Sequence, residues 1–303
     1  NESYLWPSGK SSQVLRVLQL LGSYDGGIRL LNDKKEEAQR AQHNKKILRK
    51  TLEDFQPQAC LVGNLDLLGN ELLNQILFAG VPSIQHVGFM MAPLPLKEYP
   101  KGMPYSMAFA SGEVRRLLVN QGYPVANHPI VHPPLPSDNL PQKALAKNST
   151  ALRIGYCGLL MQSKGVHVLL EAASQLKALQ IEFKLDIAGK TFSRAYESSL
   201  KDFAKANQIN EMITWHGFLE AEQLNSFYNE LDILVFPSIA PESFGMVVAE
   251  AMATGVVPIS SGVGGAFEVI THGFDGLLSP IGDSKRLKEL LCWCQRNPKK
   301  RKT

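Results

Sequence analysis

The sequence predicts an α/β protein of two domains, each with a parallel sheet, the second of them doubly wound. Three observations carry this. Short apolar runs alternate with longer segments of helical period along most of the chain, the mark of repeated βαβ units. A proline-rich, aperiodic stretch from Pro133 to Thr150 interrupts the alternation, which places a boundary near 135 to 150 and divides the chain into 1–140 and 150–303. Its 303 residues, 44% hydrophobic and 20% charged, are enough for two cores.

In chain order, residues 32–55 are polar with Lys and Glu at helix-surface spacing, and Pro57 ends that helix. A strand is expected over 59–62, a helix over 67–78 and, after the Gly80 break, a strand over 81–86. A small-residue strand over 106–111, a helix over 112–121 and a last strand over 129–132 complete the first half. No opening strand with a glycine-rich turn is legible before Gln56, and the chain begins with Asn1, so the first domain reads as incomplete. The second half repeats the pattern more regularly. Strands are expected over 152–158, 183–188, 213–216, 233–237 and 256–260, with helices over 165–178, 196–207, 222–230 and 244–254. In such a sheet, ligands sit beyond the carboxyl ends of the strands, so chemistry is sought in the loops that follow them.

Composition excludes several classes. The 32 basic and 28 acidic residues leave a formal charge of +4, too small to imply nucleic-acid binding. The one basic cluster, Lys299 to Lys302, follows an amphipathic stretch and reads as a solvated helix face. No apolar run approaches the length needed to span a bilayer, and no signal peptide opens the chain, so a cytoplasmic location is expected. Four scattered cysteines make no disulfide framework. His43, His128, His132, His167, His216 and His272 are scattered without ligand spacing, so no metal site is expected.

The most informative segment is 237–259, PSIAPESFGMVVAEAMATGVVPI. A buried strand ends at Pro237, a loop carries Glu242 and Ser243, and a helix starts near Phe244 with its first-turn N–H groups facing the strand ends. Unpaired amides and the helix dipole make such a start an anion seat. Glu242 and Glu250 lie eight positions apart, about 10 to 12 Å at helical rise, which suits the two ends of an extended diphosphate ligand. On an ordinary helix, the first acid would merely satisfy the dipole and the second would face solvent. Here Glu250 stands among Val247, Val248, Ala249, Ala251 and Met252, and a carboxylate in that setting needs a partner.

With its flanks, this segment resembles the E-x7-E donor signature of family-four retaining glycosyltransferases, the glycosyl transferases group 1 family. The resemblance includes Asp232 to Ser238, Gly245, Glu250 to Ala253, Gly255, Gly264-Gly265, Glu268 and Gly276. Upstream, Gly158 to Ala172 with Lys164-Gly165 and the run Trp215 to Phe218 are similar to the family's first and third donor-domain loops. It covers 152–287 strongly and 57–133 loosely.

The resemblance implies a GT-B fold, two Rossmann-like domains facing a cleft, with the donor site in the second. It implies metal-independent transfer of a hexose-like sugar, with retention, from a nucleoside diphosphate sugar to a hydroxyl acceptor. The acceptor would be a glycan, lipid-linked or small molecule in glycan, glycolipid or polysaccharide biosynthesis. No cofactor beyond the donor substrate, no metal and no nucleic-acid partner are implied. Peripheral contact with the inner membrane surface is left open by analogy and by Arg115, Arg116 and Arg153, which read equally well as solvated. Catalytic roles are implied for Glu242 on the donor sugar hydroxyls, Lys164 on the diphosphate and His86 across the cleft, where a structural strand-end histidine is the rival reading. Donor binding is implied for Glu250 on the ribose and for Ser243, Phe244, Gly245, Met246, Val247, Gly189 and Phe218. Ser111-Gly112-Glu113 is similar to a family turn and reads as a capped helix start near the acceptor. One departure is clear: the Arg usual after the first-loop glycine is Leu159.

Two other readings compete. Gly262 to Phe267, after a strand, suggests a nicotinamide dehydrogenase or nucleotide-sugar epimerase, although Phe267 stands where G-x-G-x-x-G needs its third glycine. Leu159 motivates the second, a non-catalytic nucleotide-sugar-binding homologue.

Overall fold

The structure is a computed structural model and describes residues 2–5, 11–14, 17–25, 28–31, 33–63, 65–135 and 151–298. Most of the expected linker, 136–150, and the basic cluster at 299–302 lie outside them. The chain divides into two units, one of Asn1–Val87, Met91–Phe109 and Arg115–Val131, the other of Gly88–Met90, Ala110–Val114 and His132–Thr303.

The first unit opens with two antiparallel pairs of four-residue strands, β1 (Glu2–Leu5) with β2 (Ser11–Val14) and β3 (Gly22–Asp25) with β4 (Ile28–Leu31). Strands that short carry no readable periodicity, which is why the sequence shows none there. Helix α1 (Lys34–Phe55) starts where the Asp33 carboxylate accepts the Lys35 and Glu36 N–H groups and ends at Gln56 in the left-handed region. The expected single helix over 67–78 is two, α2 (Leu65–Leu68) and α3 (Asn70–Phe78), because Gly69 at φ 87° breaks the helical path. Strands β5 (Cys60–Val62), β6 (Ser83–Val87) and β7 (Tyr105–Phe109) form a parallel three-stranded sheet in that order. Helix α4 (Gly112–Asn120) follows, with the Ser111 hydroxyl accepting the Val114 N–H at 3.2 Å, the capped start expected there. The strand expected over 129–132 is only an isolated bridge between Ile130 and Phe109. Pro129, Pro133 and Pro134 bring no N–H to extend a ladder.

The second unit contains six parallel strands: β8 (Leu152–Cys157), β9 (Phe183–Ala188), β10 (Ile213–Gly217), β11 (Ile233–Phe236), β12 (Val257–Ser260) and β13 (Leu277–Leu278). Their order is β10-β9-β8-β11-β12-β13. Five of these were expected; β13, two residues long, gives no pattern to read. Helices α5 (Val166–Ala178), α6 (Arg194–Ala206), α7 (Ala221–Glu230), α8 (Met246–Ala253) and α9 (Ser284–Arg296) complete the unit. The main core joins Ile154, Tyr156, Leu185, Ile187, Ile233 and Val235 to Leu169, Leu170, Leu176, Leu287 and Leu291. Cys292 and Cys294 belong to this core, where burial and not chemistry accounts for them. At the amino ends of β8 and β11 the Asp232 carboxylate accepts the Arg153 N–H at 3.0 Å, so Asp232 fastens the strands at the edge opposite the loops. No helix among the described residues is long and apolar enough to cross a membrane.

Candidate functional site

In the second sheet, β8 and β11 are neighbours. From β8 the chain winds outward through β9 and β10, and from β11 in the other direction through β12 and β13. Loops leaving the carboxyl ends of β8 and β11 therefore diverge and open a crevice at this switch point. Lys164 stands on the first of these loops and Glu242 on the second.

The two side chains meet there. Lys164 Nζ donates to Glu242 Oε1 at 2.7 Å and Oε2 at 2.9 Å, with 24% and 15% of the respective side chains exposed. The ammonium also lies 5.9 Å from the centre of the Phe236 ring. Backbone contacts hold this pair in register. The Ser163 carbonyl accepts the Ile239 N–H at 2.7 Å and the Ala240 N–H at 3.1 Å, and the Ser238 hydroxyl reaches Glu242 Oε1 at 2.5 Å. Gly165, at φ 71°, permits the approach: a Cβ there would stand 1.9 Å from the Pro237 carbonyl oxygen.

Glu242 is also tied on its far side. Its N–H donates to the Val263 carbonyl at 3.3 Å and its carbonyl accepts the Gly265 N–H at 2.6 Å, closing a parallel bridge between Glu242 and Gly264. This accounts for the glycine run over 262–265. It backs Glu242, and residues 265–268 form a 3-10 turn and not the α-helix that a dinucleotide fingerprint needs, which removes the dehydrogenase reading. Helix α8 begins at Met246 after Gly245 at φ 92°, two residues later than expected. Its first backbone bond is Val248 N–H to the Gly245 carbonyl. The amides before Val248 form the first turn of the expected anion seat.

Glu250, about one turn into α8, is half-buried and has the partner its apolar surroundings demanded: Tyr228 Oη on α7 donates to Glu250 Oε2 at 2.7 Å. Tyr228 is 3% exposed and lies in the apolar cluster against which Cys157, at the end of β8, packs. Burial pushes the Cys157 thiol up to about 11. Burial and the facing Glu250 and Cys157 raise the Tyr228 phenol well beyond its ordinary value, so it stays a neutral donor. Tyr228, Ser238 and Cys157 were missed in sequence. Tyr228 lies on an amphipathic helix where an aromatic reads as core, and its polar atom meets Glu250 only through the fold.

The Cys157 shift has a checkable consequence. Its raised folded value means that the unfolded chain loses this proton first as pH rises, so the contribution to stability is whole below pH 9 and is lost between 9 and about 11. Urea midpoints of the wild type are expected to fall over that interval more steeply than those of Cys157→Ala; parallel profiles would refute this.

The remaining expected residues are placed as follows. Phe244 is 8% exposed and packs on the His132 ring with centroids 5.0 Å apart; Val247 packs into the core beside α8, so both face the anion seat only through their amides. Ser243 and Met246 are half-buried and Gly245 is buried at the helix start. The Gly189 N–H is taken by the Gly217 carbonyl at 2.7 Å, so Gly189 serves close backbone packing and not ligand donation. Phe218 is 65% exposed. Leu159, in the position where an Arg was expected, is 36% exposed, and its carbonyl accepts the Tyr156 hydroxyl at 2.8 Å. His86 lies inside β6 of the first unit, not at the start of a loop, and its Nε2 is 2.8 Å from the Val131 carbonyl oxygen, which supports the structural reading of this histidine.

Over 164 residues the chain is 30% identical to a lipopolysaccharide 1,2-N-acetylglucosaminetransferase of Salmonella typhimurium, a match covering 51% of this chain and 42% of that protein. It is 33% identical over 125 residues to a D-inositol 3-phosphate glycosyltransferase of an Arthrobacter species, covering 41% and 29%. The chain thus spans less than half the length of these relatives. Among solved structures, a glycosyltransferase from Rickettsia africae matches with a TM-score of 0.75 at 19% identity, over 91% of this chain and 76% of that one. Anabaena HepE in complex with UDP and glucose matches with a TM-score of 0.72 at 17% identity, over 90% and 76%. These likenesses establish the fold as that of GT-B glycosyltransferases. Residues 139–303, which hold the whole Lys164, Glu242 and Glu250 constellation, match the model of the glycosyl transferases group 1 family, and the chain belongs to it.

Proposed function

We propose that the protein transfers a hexose-like sugar, with retention, from a nucleoside diphosphate sugar to a hydroxyl of a glycan, lipid-linked or small-molecule acceptor. The observation that carries this is the Lys164 and Glu242 ion pair at the switch point of the sheet, beside the start of α8, with Glu250 farther along the same helix. The diphosphate rests over the first-turn amides of α8, next to the Lys164 ammonium. Two of the three ammonium hydrogens point to Glu242, and the third serves a phosphate oxygen. Glu242 accepts from the sugar hydroxyls and Glu250 from the ribose. In the reaction the bond from the anomeric carbon to the diphosphate oxygen breaks, with its electron pair leaving on that oxygen. The acceptor oxygen bonds to the anomeric carbon on the same face and its proton passes to the departing diphosphate. Lys164 and the helix amides stabilise the charge that develops there. We place this reaction in the cytoplasm.

UDP sugars head the donor screen, since HepE is solved with UDP and with UDP-glucose. Thermal shift with UDP-, GDP- and ADP-sugars is expected to single out one base, with stabilisation approaching about 2.7 kcal/mol at a hundredfold excess over Kd. The selected donor should then release its diphosphate faster when glycan acceptors are added. A screen in which none of these donors raises the melting midpoint refutes the reading. Leu159 in place of an arginine favours a second reading, a binding protein without turnover. Donor binding without acceptor-dependent release would decide for it.

A further inference from the structure

We propose that Tyr228 is a positioning residue that sets the selectivity of the donor site for ribose, by holding one oxygen of Glu250 so that the other faces the nucleoside hydroxyls. This rests on the reading of Glu250 as the ribose acceptor. The Glu250 carboxylate accepts at Oε2 from Tyr228 at 2.7 Å, and among the described residues no other hydrogen bond to its side chain is found. A carboxylate on a flexible three-torsion side chain would sample many rotamers at a half-exposed position, and each costs ordering free energy when a ligand binds. Tyr228 removes that freedom, because it is itself fixed. It is 3% exposed and packed with Phe227, Leu231, Ala251 and Val256, with the Phe227 ring edge-on at 5.7 Å.

The polarity of the contact is set as well. A carboxylate only accepts, so the single phenol proton goes to Glu250, while Cys157 packs against the same apolar cluster as Tyr228. Helices α7 and α8 thereby meet at one carboxylate oxygen, with Cys157 at the end of β8 packed against the same cluster. A tyrosine serving only to fill the core would need its ring there but not its hydroxyl, and this difference is what the experiment reads.

Isothermal titration compares UDP, or the diphosphate of whichever base the donor screen selects, with its 2′,3′-dideoxy counterpart. The wild type is expected to prefer the ribose form by at least about tenfold, from hydrogen bonds to a charged acceptor. Tyr228→Phe, which keeps the ring, should lose most of that preference while its affinity for the dideoxy form stays within about twofold. Cys157→Ala, which leaves Tyr228 in place but removes the thiol behind it, should lower the preference about two- to threefold and serves if Tyr228→Phe does not fold. Full retention of the ribose preference in a folded Tyr228→Phe, or in Cys157→Ala when only that variant folds, overturns the proposal. Glu250→Ala separates the two ideas. If it erases the preference and Tyr228→Phe does not, only the role of Tyr228 fails; if it leaves the preference intact, the assignment of Glu250 to ribose fails with it.

Discussion

Glu242→Ala is expected to lower kcat/KM for sugar transfer by at least about a hundredfold while leaving the affinity for the bare nucleoside diphosphate unchanged or higher. The loss follows from the proposed role of the carboxylate on the sugar hydroxyls, a contact of the size that removal of one charge-stabilising group costs in an active site. The effect on the bare diphosphate has the opposite sign because of the ion pair. Glu242 holds Lys164 at 2.7 and 2.9 Å in a partly dry crevice, and without it the ammonium has only the incoming phosphate to satisfy it. Lys164→Ala should weaken diphosphate binding outright. The double variant should bind no worse than Lys164→Ala alone, since the two groups act as a coupled pair. Steady-state transfer assays and calorimetry on the four proteins test this. Equal kcat/KM for wild type and Glu242→Ala would remove Glu242 from the reaction.

Gly165→Ala should destabilise the second unit by about 3 kcal/mol or more, a fall in melting midpoint of roughly 10 °C. Two costs combine. The residue sits at φ 71°, where an alanine is strained, and its Cβ would lie 1.9 Å from the Pro237 carbonyl oxygen, a backbone atom that cannot swing aside. Relief requires the loops after β8 and β11 to part, and those loops carry Lys164 and Glu242. Diphosphate binding should therefore weaken along with stability. Gly282→Ala is the control, because it has the same φ of 71° with nothing within 4 Å of the added carbon. It should cost only the conformational part, about 1 to 2 kcal/mol. Similar melting midpoints for the two variants would show that the collision with Pro237 is unimportant.

Much of the second unit was legible because its elements are locally encoded. Buried strands such as β11 read as continuous apolar runs, and α5 shows its core face at helical spacing after the Gly165 break. The first unit was less so: four-residue strands carry too few alternations to register, and Gly69 splits what looks like one helix. His86 shows the limit for a single side chain. As a strand-end histidine it is open to a contact across the cleft, yet its ring nitrogen is engaged by the Val131 carbonyl, 45 residues away.

The sequence by itself determined that Glu250 needs a polar partner, that Glu242 precedes a helix start suited to an anion, and that the segment around them resembles the donor signature of the glycosyl transferases group 1 family. Only the tertiary structure decided who those partners are. Lys164 and Glu242 are 78 residues apart and Tyr228 and Glu250 are 22 apart. Whether they meet depends on β8 lying next to β11 and on which faces of α7 and α8 turn toward each other. Strand order and helix facing arise from packing the whole sheet at once, and no local pattern of residues encodes them.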